Sequence, residues 1–121
     1  MQVPLKHFKL AEFDSPDAPG SGAKMQPKFL QMLDNARAIA GVPFEVTSGY
    51  RTEAHNAKVG GVKESSHCQG WASDLAASSG TTKFQIVNAL LKAGFTRIGV
   101  ASGFIHCDCD PTKPAQVIWT Y

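Results

Sequence analysis

Three absences narrow the functions open to this chain. It has no apolar run near the roughly 18 residues that a membrane-crossing helix needs, and its first nine residues lack the basic and then apolar pattern of an export signal. Charged residues make up only 18% of the chain, the net charge is +2, and no basic stripe is present for a nucleic-acid backbone to follow. We therefore expect neither a membrane nor a nucleic-acid partner. We also expect a monomer that stays in the cytoplasm unless another protein releases it from that compartment.

Cysteine is also scarce. The three cysteines, Cys68, Cys107 and Cys109, form an odd set. Cys107 and Cys109 are too close along one extended strand to bridge each other comfortably. The sequence therefore predicts free thiols and a reducing compartment.

The 121 residues suffice for one domain, and an apolar content of 43% is typical of a globular protein. Residues 1–25 are rich in proline and glycine, which predicts an extended arm that lays Phe8, Leu10 and Phe13 over the core. Residues 26–121 then form the domain proper.

Hydrophobic periodicity predicts the elements of this domain. Helical spacing indicates helices over 27–40 and 52–59, and a third that Thr81 or Thr82 caps. In this third helix Phe84, Val87, Leu90 and Leu91 are predicted to form the buried stripe. Short strands are predicted over 44–47, 71–76, 97–100, 104–109 and 116–120. Because the strands gather late in the chain, we predict a small α+β domain, with an antiparallel sheet and about three helices packed around it.

Polar residues stand in or beside these otherwise apolar strands. His67, Asp74 and His106 supply two imidazoles and a carboxylate, a set that suits a catalytic zinc with one position left for water. A rival site made of the three cysteines would need the 104–109 strand to flip, because alternation points Cys107 away from His106. Taken singly, each of these residues is also compatible with an ordinary hydrogen-bonding role.

The segment from Ser65 to Asp74, SSHCQGWASD, fits the pattern S-x-H-x-x-G-x-A-x-D. With Ser48-Gly49-Tyr50-Arg51-Thr52 upstream, Phe104-Ile105-His106-Cys107-Asp108 downstream and a late Trp119, it resembles the zinc D-alanyl-D-alanine carboxypeptidases and murein endopeptidases. That family includes phage endolysins and vancomycin-resistance dipeptidases.

The resemblance implies a set of site residues. His67, Asp74 and His106 correspond to the zinc ligands of the family, and Arg51 corresponds to a residue that faces the substrate. Ser66 is expected either to bind substrate or to shape the loop. A Zn²⁺ cofactor and a sheet that carries the site are further implications of the resemblance.

The general base is less clearly marked. Many family members carry Asp or Glu three residues before the last zinc histidine, where this chain has Gly103. We therefore predict Asp108 as the catalytic base, with the alternative that it orients a ligand histidine. Asp110 and Glu64 are weaker candidates.

The function implied is that of a zinc metallopeptidase which hydrolyses amide bonds in peptidoglycan stem peptides or cross-links, as a carboxypeptidase or an endopeptidase. The chain resembles a minimal phage endolysin that stays in the host cytoplasm until it is released to the cell wall. A cytoplasmic dipeptidase is a competing enzyme. The non-enzymatic alternatives are an inactive zinc-binding wall module and a phage structural component.

Overall fold

The computed structural model describes residues 5–121, so the first four residues of the predicted arm lie outside the described part. The helices are α1 (Pro27–Ala40), α2 (Glu53–Lys58) and α3 (Gly80–Lys92), and short 3-10 turns lie at Leu10–Phe13, Ser21–Lys24 and Ser66–Gln69. The strands are β1 (Val46–Ser48), β2 (Ala72–Ala76), β3 (Arg97–Val100), β4 (Phe104–Asp108) and β5 (Val117–Thr120). The predicted small α+β domain is confirmed.

Local sequence signals set the ends of the helices. α1 has Pro27 in its first turn, where a missing N–H costs nothing, and it ends at Gly41, whose φ of +67° suits glycine. α3 begins after Ser79, whose side chain accepts a hydrogen bond from the backbone N–H of Thr82. The cap of α3 is therefore Ser79 and not one of the threonines.

The buried face of α3 differs from the predicted one. Phe84 and Leu91 are 73% and 54% exposed, whereas Ile86, Ala89 and Leu90 are fully buried. This helix has more apolar residues than one face holds, and its packing against α1 and β4 selects the face that is buried. The predicted stripe was therefore wrong at two of its four positions.

The five strands form one sheet in the order β1-β2-β4-β3-β5. Every pairing is antiparallel except β3 with β5, which is parallel, so the sheet is mixed and not purely antiparallel as predicted. The reason lies in the connection: β4 runs against β3, and residues 109–116 then carry the chain past β3 to its outer edge. β5 therefore takes the same direction as β3.

The two faces of the sheet have different roles. One face joins α1 and α3 in the apolar core through Leu75, Ile98, Ile105 and Cys107. On the other face, the strand register aligns a row of residues across four strands: Asp74, His106, Gly99 and Trp119. Two of the polar residues predicted for the site therefore lie side by side on the face away from the helices.

The segment before α1 packs on the domain. Phe8 and Phe13 are buried in the core, and the carbonyl of Phe13 accepts a hydrogen bond from the backbone N–H of Tyr50 at 2.8 Å. This contact brings the segment against the chain that follows β1. Over residues 5–121, none of the helices has the length and apolar character needed to cross a membrane.

Candidate metal centre

Three side chains from separate elements converge beside the sheet. His67 comes from the 3-10 turn at Ser66–Gln69, Asp74 from the middle of β2 and His106 from the middle of β4. One nitrogen or oxygen of each lies within 4.8 Å of the others, and all three residues are buried. Among residues 5–121 no other group of three His, Cys, Asp or Glu side chains meets in this way.

The ring of His67 is fixed by a backbone carbonyl. Its Nδ1 lies 2.8 Å from the carbonyl oxygen of Gly49 and donates to it, because a carbonyl only accepts. This bond leaves Nε2 as the free nitrogen, 3.4 Å from Oδ1 of Asp74. The backbone N–H of His67 also donates to Oγ of Ser65, so the loop as well as the ring is held in place.

The ring of His106 lies between two carboxylates. Its Nδ1 is 2.9 Å from Oδ1 of Asp74, and its Nε2 is 2.7 Å from Oδ2 of Asp108. Oδ1 of Asp108 accepts hydrogen bonds from Nε of Arg97 at 2.8 Å and from the backbone N–H of Asp110 at 3.2 Å. Asp108 is therefore buried on the far side of the ring, where a carboxylate typically orients a metal-ligating histidine. Its catalytic-base role stays a prediction.

These contacts affect the ionisation of the centre. Burial alone would raise the pKa of Asp74, but the imidazoles of His106 and His67 beside the carboxylate outweigh burial and hold that pKa well below its usual range. Burial alone would lower the pKa of His106, and its hydrogen bonds to Asp108 and Asp74 outweigh that effect and raise it. Asp74 is thus an ionised carboxylate at neutral pH.

The donor set fits a zinc ion. Zinc prefers imidazole nitrogen and carboxylate oxygen, and its catalytic sites use three protein ligands. Each histidine has one nitrogen committed to an acceptor outside the centre and the other directed toward Asp74. His67 through Nε2, His106 through Nδ1 and Asp74 would therefore hold the ion.

The cysteines play no part in this arrangement. All three thiols are free, as predicted. Cys107 is completely buried on the core face of β4, and its Sγ lies 3.7 Å from Oγ of Ser73. The alternation of β4 therefore separates sulfur from the imidazole of His106, as the sequence predicted.

The two residues predicted to bind substrate differ in their surroundings. Nη2 of Arg51 lies 3.5 Å from Oδ2 of Asp74, and its other nitrogens donate to Ser48 and Asn56. Arg51 thus borders the centre. The hydroxyl of Ser66 is buried and donates to Asp110 at 2.7 Å, and it accepts from Nζ of Lys113 at 2.9 Å. The binding roles of Arg51 and Ser66 stay predictions.

A cleft of about 420 Å³ opens in front of the three side chains. Arg51, Lys113 and Trp119 line it together with the exposed Val59 and Val62. The ring of Trp119 lies over Gly99, where a Cβ atom would come within 2.7 Å of its Nε1, and its centroid is 5.4 Å from that of His106. The absence of a side chain at residue 99 thus lets Trp119 reach the centre.

Several residues of the site escaped the sequence analysis. Arg97 starts a strand and Lys113 lies in a loop, and neither position carries a local signal of function. Gly49 lies in one of the segments that carry the family resemblance, but nothing in the sequence indicated that its carbonyl would accept a hydrogen bond from His67. A correct register for β3 and β4 would have revealed Arg97, because it pairs directly with Asp108. The tertiary structure alone brings Gly49 and Lys113 to the centre.

Comparison with protein-family models matches residues 6–108 to the family described as Peptidase M15. The matched range contains His67, Asp74 and His106 as well as Arg51 and Asp108, whereas β5 and the loop before it lie beyond the match. Comparison with curated proteins gives no match. Since the match covers most of the chain, the protein belongs to the Peptidase M15 family and is a hydrolase.

Proposed function

We propose that this protein is a zinc metallopeptidase that hydrolyses amide bonds in the stem peptides or cross-links of peptidoglycan. The observation that carries the proposal is the convergence of His67, Asp74 and His106 within 4.8 Å at the base of an open cleft. Membership of a peptidase family supports hydrolysis, and the donor set supports zinc. The resemblance of the Ser65 to Asp74 motif to murein peptidases supports the substrate.

His67, Asp74 and His106 would hold the zinc ion. When bound, zinc supplies Lewis-acid chemistry: it polarises the scissile carbonyl and lowers the pKa of a water molecule toward 7. The chain contributes rigidity, because Asp74 and His106 are direct cross-strand neighbours in β2 and β4. Rigid placement of the ligands preserves the geometry that catalysis needs.

Cationic side chains at the cleft suit a substrate that carries a carboxylate. Arg51, Arg97 and Lys113 line the cleft, and each lies within 4.0 Å of a carboxylate of the chain, so a bound divalent ion would supply the excess of positive charge. Arg51 is placed to hold a carboxylate or a peptide carbonyl with its guanidinium. The terminal carboxylate of a stem peptide would provide such a group.

We assign Asp108 to the orientation of His106 and not to proton transfer from water. Both of its oxygens are already engaged, one by His106 and the other by Arg97 and Asp110. A carboxylate in this position keeps the proton of His106 on Nε2 and leaves Nδ1 free for a metal. Gly103, at the usual position of the base, supplies no group that could accept a proton.

The expected setting of this activity follows from the sequence. We propose a monomer that needs neither nucleic acid nor a membrane for its chemistry and acts in an endolysin-like role once it is released to the cell wall.

The test is digestion of purified sacculi and defined muropeptides by the zinc-loaded protein, with the released peptides identified by mass spectrometry. Release of D-alanine would identify a carboxypeptidase, and cleavage within stems or cross-links an endopeptidase. The variants His67→Ala and His106→Ala should lose zinc and activity together, whereas His55→Ala, outside the centre, should keep both. Stoichiometric zinc without turnover would favour an inactive wall-binding module, and absence of metal would favour a structural component.

A further inference from the structure

We propose that Arg97 is a positioning residue of the metal centre, which fixes Asp108 and through it the ring of His106. This inference rests on the proposed function, because it takes His106 to be a metal ligand. It adds a residue outside the ligand set and extends the centre from β4 to the neighbouring strand β3.

The contacts form a continuous chain. Arg97 and Asp108 are direct partners in the register of β3 and β4. Nε of Arg97 lies 2.8 Å from Oδ1 of Asp108, and Oδ2 of the same carboxylate lies 2.7 Å from Nε2 of His106. With both oxygens engaged and the residue only 1% exposed, the carboxylate has no freedom to turn away from His106.

Arg97 is itself held by the end of the chain. Its guanidinium carbon lies 5.1 Å from the ring centroid of Trp119, and its Nη1 donates to the carbonyl of Pro114 at 2.6 Å. Cation–π contact and a hydrogen bond thus fix the side chain on two sides. Both partners lie beyond residue 108, where the family match ends. The segment that carries Pro114 and Trp119 therefore anchors the metal centre in this protein.

The physical consequence concerns the affinity for metal. A histidine that must rotate or exchange its proton before it binds a cation binds more weakly, so carboxylates that orient ligand histidines raise affinity. A guanidinium suits the role of holding such a carboxylate because it is planar and permanently charged. A purely structural ion pair would instead affect folding and leave the metal centre of the folded protein unchanged.

The chain contains a matched control. The guanidinium of Arg37 lies 4.9 Å from the ring centroid of Phe8, and its Nη1 donates to the carbonyl of His7 at 2.6 Å. Like Arg97, it is half-buried, contacts an aromatic ring and donates to a backbone carbonyl. Unlike Arg97, it makes no hydrogen bond to a carboxylate of the metal centre. Arg37→Gln therefore measures the general effect of losing such an arginine.

The experiment compares wild type, Arg97→Gln and Arg37→Gln. Zinc affinity is measured by competition with a chromophoric chelator, and ligand geometry by the visible absorption spectrum of the cobalt-substituted protein. We expect Arg97→Gln to bind zinc roughly 10- to 100-fold more weakly and to show an altered cobalt spectrum. Arg37→Gln should match wild type in both measurements.

A folded Arg97→Gln with the zinc affinity and cobalt spectrum of wild type would overturn the proposal. Arg97→Lys keeps the charge but loses the planar fork, so we expect an intermediate affinity. If Arg97→Gln fails to fold, Arg97→Lys is measured in its place. A zinc affinity equal to that of wild type in Arg97→Lys would then refute the positioning role of Arg97. If wild type itself binds neither zinc nor cobalt, the proposed function fails first, and that result is distinct from an effect at Arg97.

Discussion

Nδ1 of His67 donates to the carbonyl of Gly49 at 2.8 Å, which couples the metal centre to a position with no room for a side chain. A Cβ atom at Gly49 would lie 2.6 Å from Cα and 2.8 Å from the carbonyl oxygen of Phe13. Backbone atoms of the N-terminal segment thus lie directly behind the residue that orients His67. Packing of that segment and orientation of the ligand depend on the same glycine.

Gly49→Ala should therefore destabilise the fold and weaken metal binding. Overpacking of this kind costs about 1 to 3 kcal/mol. Gly103→Ala is the control, because a Cβ there meets nothing within 4 Å and the backbone φ is not in the left-handed region. Denaturant unfolding gives the stability, and a zinc titration gives the affinity. Equal behaviour of the two variants would contradict the close approach at Gly49.

Zinc should stabilise the folded protein through its binding to the centre. A ligand that binds only the native state at 100 times its Kd adds about 2.7 kcal/mol to the free energy of unfolding. Thermal unfolding with zinc, and after removal of zinc by a chelator, measures this effect. His67→Ala should abolish the increase, and His55→Ala should retain it. A zinc-dependent increase that survives in His67→Ala would place the metal elsewhere.

Asp108→Asn separates the two roles considered for this residue. If Asp108 orients His106, zinc binding should weaken about 10- to 100-fold and activity should fall with it. The reason is that an uncharged amide accepts the Nε2 proton of His106 less strongly than a carboxylate does. The base role predicts unchanged zinc affinity with activity lost at full zinc loading. Parallel measurement of zinc affinity and kcat at saturating zinc decides between them.

Arg51→Lys should impair use of substrate much more than it impairs binding of metal. Lysine keeps a positive charge near Asp74 but loses the paired donors that would hold a carboxylate or carbonyl. We expect kcat/KM to fall by about tenfold or more, equivalent to roughly 1.4 kcal/mol of transition-state binding, with zinc affinity nearly unchanged. An equal loss of both would show that Arg51 acts through the ligand Asp74 or through the fold.

The thiols should react slowly with alkylating reagents in the native protein. Burial raises the pKa of Cys109 to about 11, and it also raises the pKa of Cys107 and of Cys68. Only the thiolate is nucleophilic, so a raised pKa lowers reactivity at neutral pH, and reaction at Cys109 should increase as the pH approaches 11. Mass spectrometry after alkylation measures each site. Rapid alkylation of Cys107 in the native protein at neutral pH would contradict its complete burial.

The sequence by itself determined what depends on neighbouring residues. The ends of α1 follow from Pro27 and Gly41, and the alternation of β4 places His106 and Cys107 on opposite faces. The spacing and types of His67, Asp74 and His106 indicated a candidate ligand set, which the structure brings together. Such features are readable because capping and the two-residue period of a strand act over a few residues.

The tertiary structure decided what depends on residues far apart in the chain. Four features required the assembled sheet and core: the buried face of α3, the parallel pairing of β5, the hydrogen bond from His67 to Gly49 and the pairing of Arg97 with Asp108. Apolar residues on α3 outnumber the positions that one helix face can bury. Strand register likewise has no local signature in the sequence. Packing therefore selects among arrangements that the sequence pattern permits equally. That selection places Asp108 behind His106 and thereby sets its expected role.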